Sequence, residues 1–288
     1  MCHNGGVDHH SDAGLRAEIV EVGRRLYDRS LVVATDGNIS ARLGHERILA
    51  TPSGLCKGRL APDQLIVVGL DGRRVDRPSP ANRHLRPTSE LAMHLEAYRQ
   101  RPDIGAVVHA HPPHAVALSI AGIGLAACTL PEAIVFLGAP PTVPYATPSG
   151  PEGAAAVRDA IADHDALVLA HHGSLAVGDR PLTAYHHTET LEQLARITFL
   201  VQLLRSPPDT PAAALAPDQI AKLLDTRNGL GLRRDADLGD FCAACGVCHP
   251  AGLHATASTA PIDRTDTTDH LQARVRAIVA RVLDEMAS

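Results

Sequence analysis

The stretch "GAVVHAHPPH" at 105–114 constrains the fold more than any other part of the chain. An apolar run ends there in two histidines two positions apart, and Pro112 and Pro113 halt it. Side chains on a β-strand alternate between faces, so His109 and His111 point the same way. A second run, "ALVLAHHGSLAVG" at 166–178, reads as a strand, a histidine pair and another strand. His171 and His172 therefore sit at the same kind of strand end as the first pair.

Between and around these runs the apolar spacing changes to that of helices. Leu15, Ile19, Val22 and Leu26 share one face of "LRAEIVEVGRRLYDRSLV". "ATDGNISARLG" is rich in turn residues and leads into a short alternating segment, while "RILATPSG" and "QLIVVGLDG" read as strands closed by Pro/Gly turns. "TSELAMHLEAYRQRPD" predicts a helix capped by Thr88 or Ser89 and ending before Pro102. Further helices are predicted near 113–121, over "GPEGAAAVRDAIADHD" and from about Thr183 to Leu204, with strands around "AIVFLG" and "PTVPYA". Strands alternating with helices predict an α/β fold, a central β-sheet flanked by helices. Three regions follow: a body over 12–230, a Cys-containing linker over 231–266 and an amphipathic helix over 267–288.

Composition removes several classes of function. The net charge of −5 gives nucleic acid no basic surface to bind. No apolar run reaches the roughly 18 residues that cross a bilayer, and the polar start "MCHNGGVDHHSDAG" does not read as a signal peptide. Lys57 and Lys222 are the only lysines, so Schiff-base chemistry has few candidates. Six cysteines, three of them scattered, do not make a disulfide framework in 288 residues, and a reducing cytoplasm is the simpler setting.

Two histidines on one strand face leave two readings open, a solvated strand end or a pair of metal ligands. His171 and His172 at a second strand end, and Glu90 opening a helix just before the first, favour the metal. Three imidazoles and a carboxylate satisfy a four-coordinate zinc ion. Glu90 read alone is also a carboxylate complementing a helix N-terminus. "DGN", "SG" and "TS" supply short polar side chains and backbone N–H groups at turns and a helix start, a chemistry that holds small anions.

"TDGNIS", "TPSG", "RPTSE", "VVHAHPPHAVALSI", "VPYATPSG" and "LAHHGSLAVG" occur in the order and approximate spacing of the class II aldolase/adducin family. The resemblance spans roughly residues 12–226 and is closest to the L-fuculose-1-phosphate aldolase branch. It implies a homotetramer with active sites at subunit interfaces, and Zn²⁺ held by His109, His111 and His172, with His171 a neighbour that is not a ligand. It makes Glu90 the catalytic acid/base and Gly37, Asn38, Ser53, Gly54, Thr88 and Ser89 the contacts of the substrate phosphate. The implied reaction is cleavage of a phosphorylated ketose to dihydroxyacetone phosphate and an aldehyde such as lactaldehyde. One departure is visible: Leu130 stands where that branch carries a tyrosine that protonates the aldehyde, and Glu132 is the nearest acid. A decarboxylase of a phosphorylated 3-keto sugar acid needs the same zinc-stabilised enediolate and stays open. A non-catalytic adducin-like interaction domain is a third reading, disfavoured by the complete metal set.

Two features lie beyond the resemblance. Cys242, Cys245 and Cys248 form a C-x-x-C-x-x-C run followed by His249. Three thiolates at this spacing suit a second metal ion or an iron–sulfur cluster, completed by His249, His254 or an exogenous group. The other reading is a flexible tail that holds thiols. Leu271, Val275, Ile278, Val279, Val282, Leu283 and Met286 form one apolar stripe on the terminal helix. It resembles the encapsulation peptides of bacterial microcompartment cargo, which would place the protein in a microcompartment lumen through a shell protein. Packing on its own subunit or on a tetramer neighbour is the alternative.

Overall fold

The computed structural model describes residues 11–125, 128–205, 213–245 and 247–248. The expectations for residues 267–288, and for His249 and His254, lie outside the described residues. In chain order the elements are α1 (Asp12–Asp28), β1 (Asn38–Arg42), β2 (Arg47–Ala50), β3 (Ile66–Gly69), α2 (Leu91–Gln100), β4 (Ala106–Ala110) and α3 (Pro113–Ile120). After them come α4 (Pro131–Phe136), β5 (Thr142–Val143), α5 (Pro151–Asp163), β6 (Ala166–Leu169), β7 (Gly173–Gly178), α6 (Pro181–Leu204), α7 (Pro217–Gly229) and α8 (Asp237–Cys245).

The seven strands form one sheet in the order β3-β2-β1-β4-β7-β6-β5. Its pairings are antiparallel except for β5 with β6. The period of two sorts the side chains between two cores. Ile48, Ile66, Val68, Val107 and Val177 pack under Met93 and Leu95 of α2 and Val157 and Ile161 of α5. Ile39, Leu49, Val67, Ala106 and Val108 pack on the other face, against the predicted α1 stripe of Leu15, Ile19, Val22 and Leu26 and against Ala184 and Tyr185 of α6. The sheet is thus covered by helices on both faces, as expected.

Two local expectations change. "AIVFLG" forms helix α4 rather than a strand. Pro131 sits in its first turn with Glu132, which starts a helix, and the apolar run Ala133–Val135 is buried, with Ile134 in a small core shared with α7 and α8. The segment read as a linker from 231 carries α8, whose Phe241 is fully buried with Cys128, Ile134 and Ile220. A buried ion pair fixes the same unit: Arg227 donates to Asp237 at 2.7 Å and to the Val135 carbonyl at 2.9 Å.

The cysteines of this unit are also not the free thiolates expected. Cys245 is bonded to Cys128 and Cys242 to Cys248, and Cys56 alone is free among the described residues. α8 docks beside the chain that precedes α4, which brings Cys128 to it across 117 residues of sequence.

Under β1, the alternation that buries Ile39 and Ala41 on one face turns Asn38 and Ser40 toward α2. There His94 and Tyr98, both buried, complete a polar chain. The His94 Nε2 proton goes to Asn38 Oδ1, which can only accept, so Nδ1 is left to accept from Ser40 Oγ at 2.7 Å. Tyr98 then donates to Ser40 Oγ at 3.0 Å. Burial pushes the His94 pKa down to about 3 and the Tyr98 phenol above its usual value. The unfolded chain takes up a proton on His94 below about pH 6.5, and the folded chain refuses it until about pH 3. Stability therefore falls as pH drops through that window, by about 1.4 kcal/mol per pH unit. Between pH 7 and pH 5 the wild type should lose about 2 kcal/mol more than His94→Gln in denaturant melts. Parallel losses in the two proteins would show that His94 titrates normally in the fold.

Candidate metal and active site

β4 and β6 both run antiparallel to β7, which lies between them. Their C-terminal ends therefore finish side by side, at the start of β7. β1 is antiparallel to β4 on its other side, with Asn38 opposite His109. One end of the sheet thus collects His109 and His111, His172 from the β6–β7 turn, and the start of β1. Helix α2 brings Glu90 to the same place. Its helix begins one to two residues later than expected, and Glu90 itself is the cap residue, with no side-chain capping bond. Its carboxylate is thereby free to turn into the cluster.

The four side chains meet closely. His109 Nε2 lies 3.1 Å from His111 Nε2 and 3.0 Å from Glu90 Oε2, and His172 Nε2 lies 3.3 Å from Glu90 Oε1. One ligand atom from each of Glu90, His109, His111 and His172 falls within 4.8 Å of all the others. His109, fully buried, donates Nδ1–H to the Ser174 carbonyl at 2.8 Å. That bond fixes the ring and directs Nε2 inward, the outer-shell arrangement usual for a metal-binding imidazole. Converging nitrogen and carboxylate lone pairs repel unless a proton or a cation lies between them. This donor set fits a divalent transition metal.

Electrostatics keep Glu90, His111 and His172 in ligating form. Burial opposes ionisation of Glu90, but hydrogen bonding and charge from His109, the Asn38 amide at 3.0 Å and His172 outweigh it and hold the carboxyl well below its usual range. Burial, reinforced by His109, lowers His172 to about 4, and burial also lowers His111. Both imidazoles are neutral near pH 7, as a ligand must be.

Two glycines make the close approach possible. A Cβ on Gly173 would stand 2.3 Å from the Ala110 carbonyl and 2.9 Å from the His111 ring. Gly37 has φ +68°, and a Cβ there would meet Val32 at 2.4 Å. His171 adopts φ 60°, rare for a residue with a side chain, and its ring faces Tyr145 instead of the cluster. It is excluded from the constellation by this turn.

The other expected site residues gather around Glu90. Thr88 N–H donates to the Thr51 carbonyl at 3.2 Å and Ser53 N–H to the Arg86 carbonyl at 2.9 Å, which draws the loop after β2 against the start of α2. Ser53, Gly54 and Ser89 are exposed there, while Thr88 and Asn38 are buried. Asn38 gives its amide to Glu90, so it orients the carboxylate, a role its place in "DGN" did not announce.

Two further residues escaped sequence reasoning. Asp36 Oδ2 lies 3.5 Å from His111 Nδ1. Lys57, 2% exposed, donates Nζ–H to the carbonyls of Thr35 at 2.6 Å and Leu55 at 2.7 Å, clamping together the loops that carry Gly37 and Gly54. Burial lowers its pKa to about 8. The rarity of lysine was the one signal that could have singled it out.

Glu90 and His172 also line a narrow pocket, walled by Met93, Val143, Val157 and Leu169 and by the loop 144–150. A lone-pair cluster beside an apolar pocket can polarise one end of a ligand while the walls select the other.

Residues 17–199 match the family model of the Class II Aldolase and Adducin N-terminal domain. The 3-oxo-tetronate 4-phosphate decarboxylase of Escherichia coli K12 is 30% identical over 74% of this chain and 96% of its own length. The L-fuculose phosphate aldolase of Methanococcus vannielii is 34% identical over 64% of this chain and 95% of its own. The crystal structure of Escherichia coli YgbL, described as a candidate aldolase, epimerase or decarboxylase, superposes with a TM-score of 0.65 at 30% identity, covering 74% of this chain and 98% of that one. With its fold, its family match and these relatives in agreement, the chain belongs to the class II aldolase and adducin family, as one of its lyase enzymes.

Proposed function

We propose that the protein is a zinc-dependent aldolase that cleaves a phosphorylated ketose, of the L-fuculose-1-phosphate kind, to dihydroxyacetone phosphate and an aldehyde such as lactaldehyde. The observation that carries this reading is the meeting of His109, His111, His172 and Glu90 in one cluster, of which Glu90 and His172 also line a pocket. The three imidazoles and the carboxylate would hold Zn²⁺, which, when bound, supplies Lewis-acid stabilisation of the charge that develops beside the ketone as the carbon–carbon bond breaks. Glu90, ionised in the free site, first takes up a proton from water, hands it to the carbon that the aldehyde leaves, and removes it in the reverse direction. Asn38, itself held by His94, sets the carboxylate's orientation. The loops clamped by Lys57, with Gly37, Asn38, Ser53 and Gly54, and the start of α2, with Thr88 and Ser89, receive the phosphate.

Decarboxylation of a 3-keto sugar-acid phosphate is the second reading, and one observation favours it. An aldehyde leaves only after its hydroxyl proton has been removed, whereas carbon dioxide leaves from an ionised carboxylate. Leu130, which caps α4, is apolar, Glu132 is exposed in the first turn, and Glu90 and His172 are the titratable groups among the described pocket-lining residues. The decarboxylase relative from Escherichia coli also matches a larger share of the chain than the Methanococcus aldolase. Both reactions leave the same phosphate-bearing enediol fragment. The homotetramer, the cytoplasmic setting and the docking of 267–288 on a microcompartment shell rest on the sequence alone and belong to the same proposal.

Purified protein should be supplied separately with ketose 1-phosphates and 3-keto sugar-acid phosphates, and the aldehyde and carbon dioxide released should be measured. Aldehyde release is the expected result, and carbon dioxide without aldehyde would transfer the assignment to the second reading. With the disulfides intact, metal analysis should find about one zinc per chain. His109→Ala, His111→Ala and His172→Ala should each remove it, and His171→Ala should keep it. Full zinc occupancy in His109→Ala would refute the ligand set. Glu90→Gln preserves shape but cannot carry the proton, so kcat should fall roughly 10²–10⁴-fold with little change in KM.

A further inference from the structure

We propose that Cys128, Cys242, Cys245 and Cys248, once their two disulfides are reduced, form a second zinc site that holds the C-terminal unit to the body of the enzyme. The four cysteines come together from two distant parts of the chain. Cys242 and Cys245 lie three residues apart on α8, hence on one face of it, and Cys248 follows in the turn after the helix. Cys128 reaches them from the segment before α4, with its Cα 6.2 Å from that of Cys245, while Cys242 and Cys248 have Cα atoms 5.2 Å apart. A tetrahedral zinc with Zn–S bonds of about 2.3 Å needs its sulfurs only about 3.8 Å apart. Each disulfide holds one pair of backbones that close, and Cys242 and Cys245, on one face of α8, set the two pairs side by side, so side-chain rotation is what the site asks for.

The pattern of the cysteines suits four thiolates better than two crosslinks. The Cys128–Cys245 bond joins α8 to the body, but Cys242–Cys248 closes only a six-residue separation at the end of the same helix. Crosslinking so short a loop removes less unfolded-chain entropy than the 117-residue closure and ties nothing to the rest of the protein. As a zinc ligand set the spacing has a purpose: C-x-x-C-x-x-C supplies three thiolates and Cys128 the fourth. The unit they serve also needs such a tie. Its own core consists of Cys128, Ile134, Ile220 and Phe241 with partly buried neighbours, small enough that a metal or a covalent link contributes materially.

The exchange balances. Two molecules of a dithiol reductant give two electrons and two protons to each disulfide, yielding four thiols and two oxidised reductant molecules. Zn²⁺ then displaces up to four protons to form a tetrathiolate. None of these residues touches Glu90 or its histidines, so the site is independent of the proposed reaction.

The full-length chain, reduced and kept under argon, should be titrated with cobalt(II), which replaces zinc and reports thiolate ligation by a charge-transfer absorption. Two cobalt ions per chain and a strong thiolate band are expected. His109→Ala should lower the count to one and leave the band, whereas Cys128→Ser should lose the band and keep the other cobalt. Cys242→Ser, which leaves the contact between α8 and Cys128 in place, should lose it as well. Absence of the band from wild-type protein whose thiols are all free by titration would overturn the proposal. So would an undiminished band in Cys128→Ser, because three thiolates would then suffice without the body of the enzyme.

Discussion

The position of β7 between two strands that run the other way governs the rest of the molecule. Because β4 and β6 flank it in the same direction, the histidines that end them finish at one level, beside the Gly173 start of β7. Antiparallel β1 then delivers Asn38 opposite His109, and the α2 face of the sheet is the face that Asn38, Ser40 and His109 share. Shifting β4 by one residue would exchange Val107 and His109 for Val108 and Ala110 on that face, so the register and the cluster stand or fall together.

Around the cluster, polar groups are ordered by what each atom can donate or accept. The Ser174 carbonyl can only accept, so it settles where His109 keeps its proton. The Asn38 carbonyl likewise settles the proton of His94, which turns the Asn38 amide toward Glu90. A chain of this kind rigidifies because reversing one member leaves a buried group unpaired. The orientation of a carboxylate at the surface end of α2 is thereby set by a phenol under the sheet, that of Tyr98.

Much of this was legible in the residues. The strand period placed His109 and His111 together, the helical stripe of α1 faced inward as read, and the turn at His171–His172 fell between two strands. What could not be read were properties of distant pairs. Nothing near Cys128 signals that α8 will dock on it, and nothing near Asn38 says that its amide will also reach Glu90. "AIVFLG" misled because a short apolar run carries no period, and the flanking Pro131 and Glu132 decided it as a helix. The chain after 230 looked like a linker because its few large apolar residues are widely spaced. One of them, Phe241, is nonetheless enough to seat a helix when a small prepared core awaits it.

The pocket beside Glu90 draws part of its wall from elements that supply none of the donors. His109, His111 and His172 come from the ends of β4 and β6, whereas the opposite side of the pocket is the loop 144–150 and the first turns of α5, with small residues such as Gly153 and Ala156. Substitutions or insertions there alter the shape of the pocket without moving a donor atom of the cluster or a sheet hydrogen bond. The scaffold is therefore modular: the shape of the pocket and the convergence of the donors are held by separable parts of the fold.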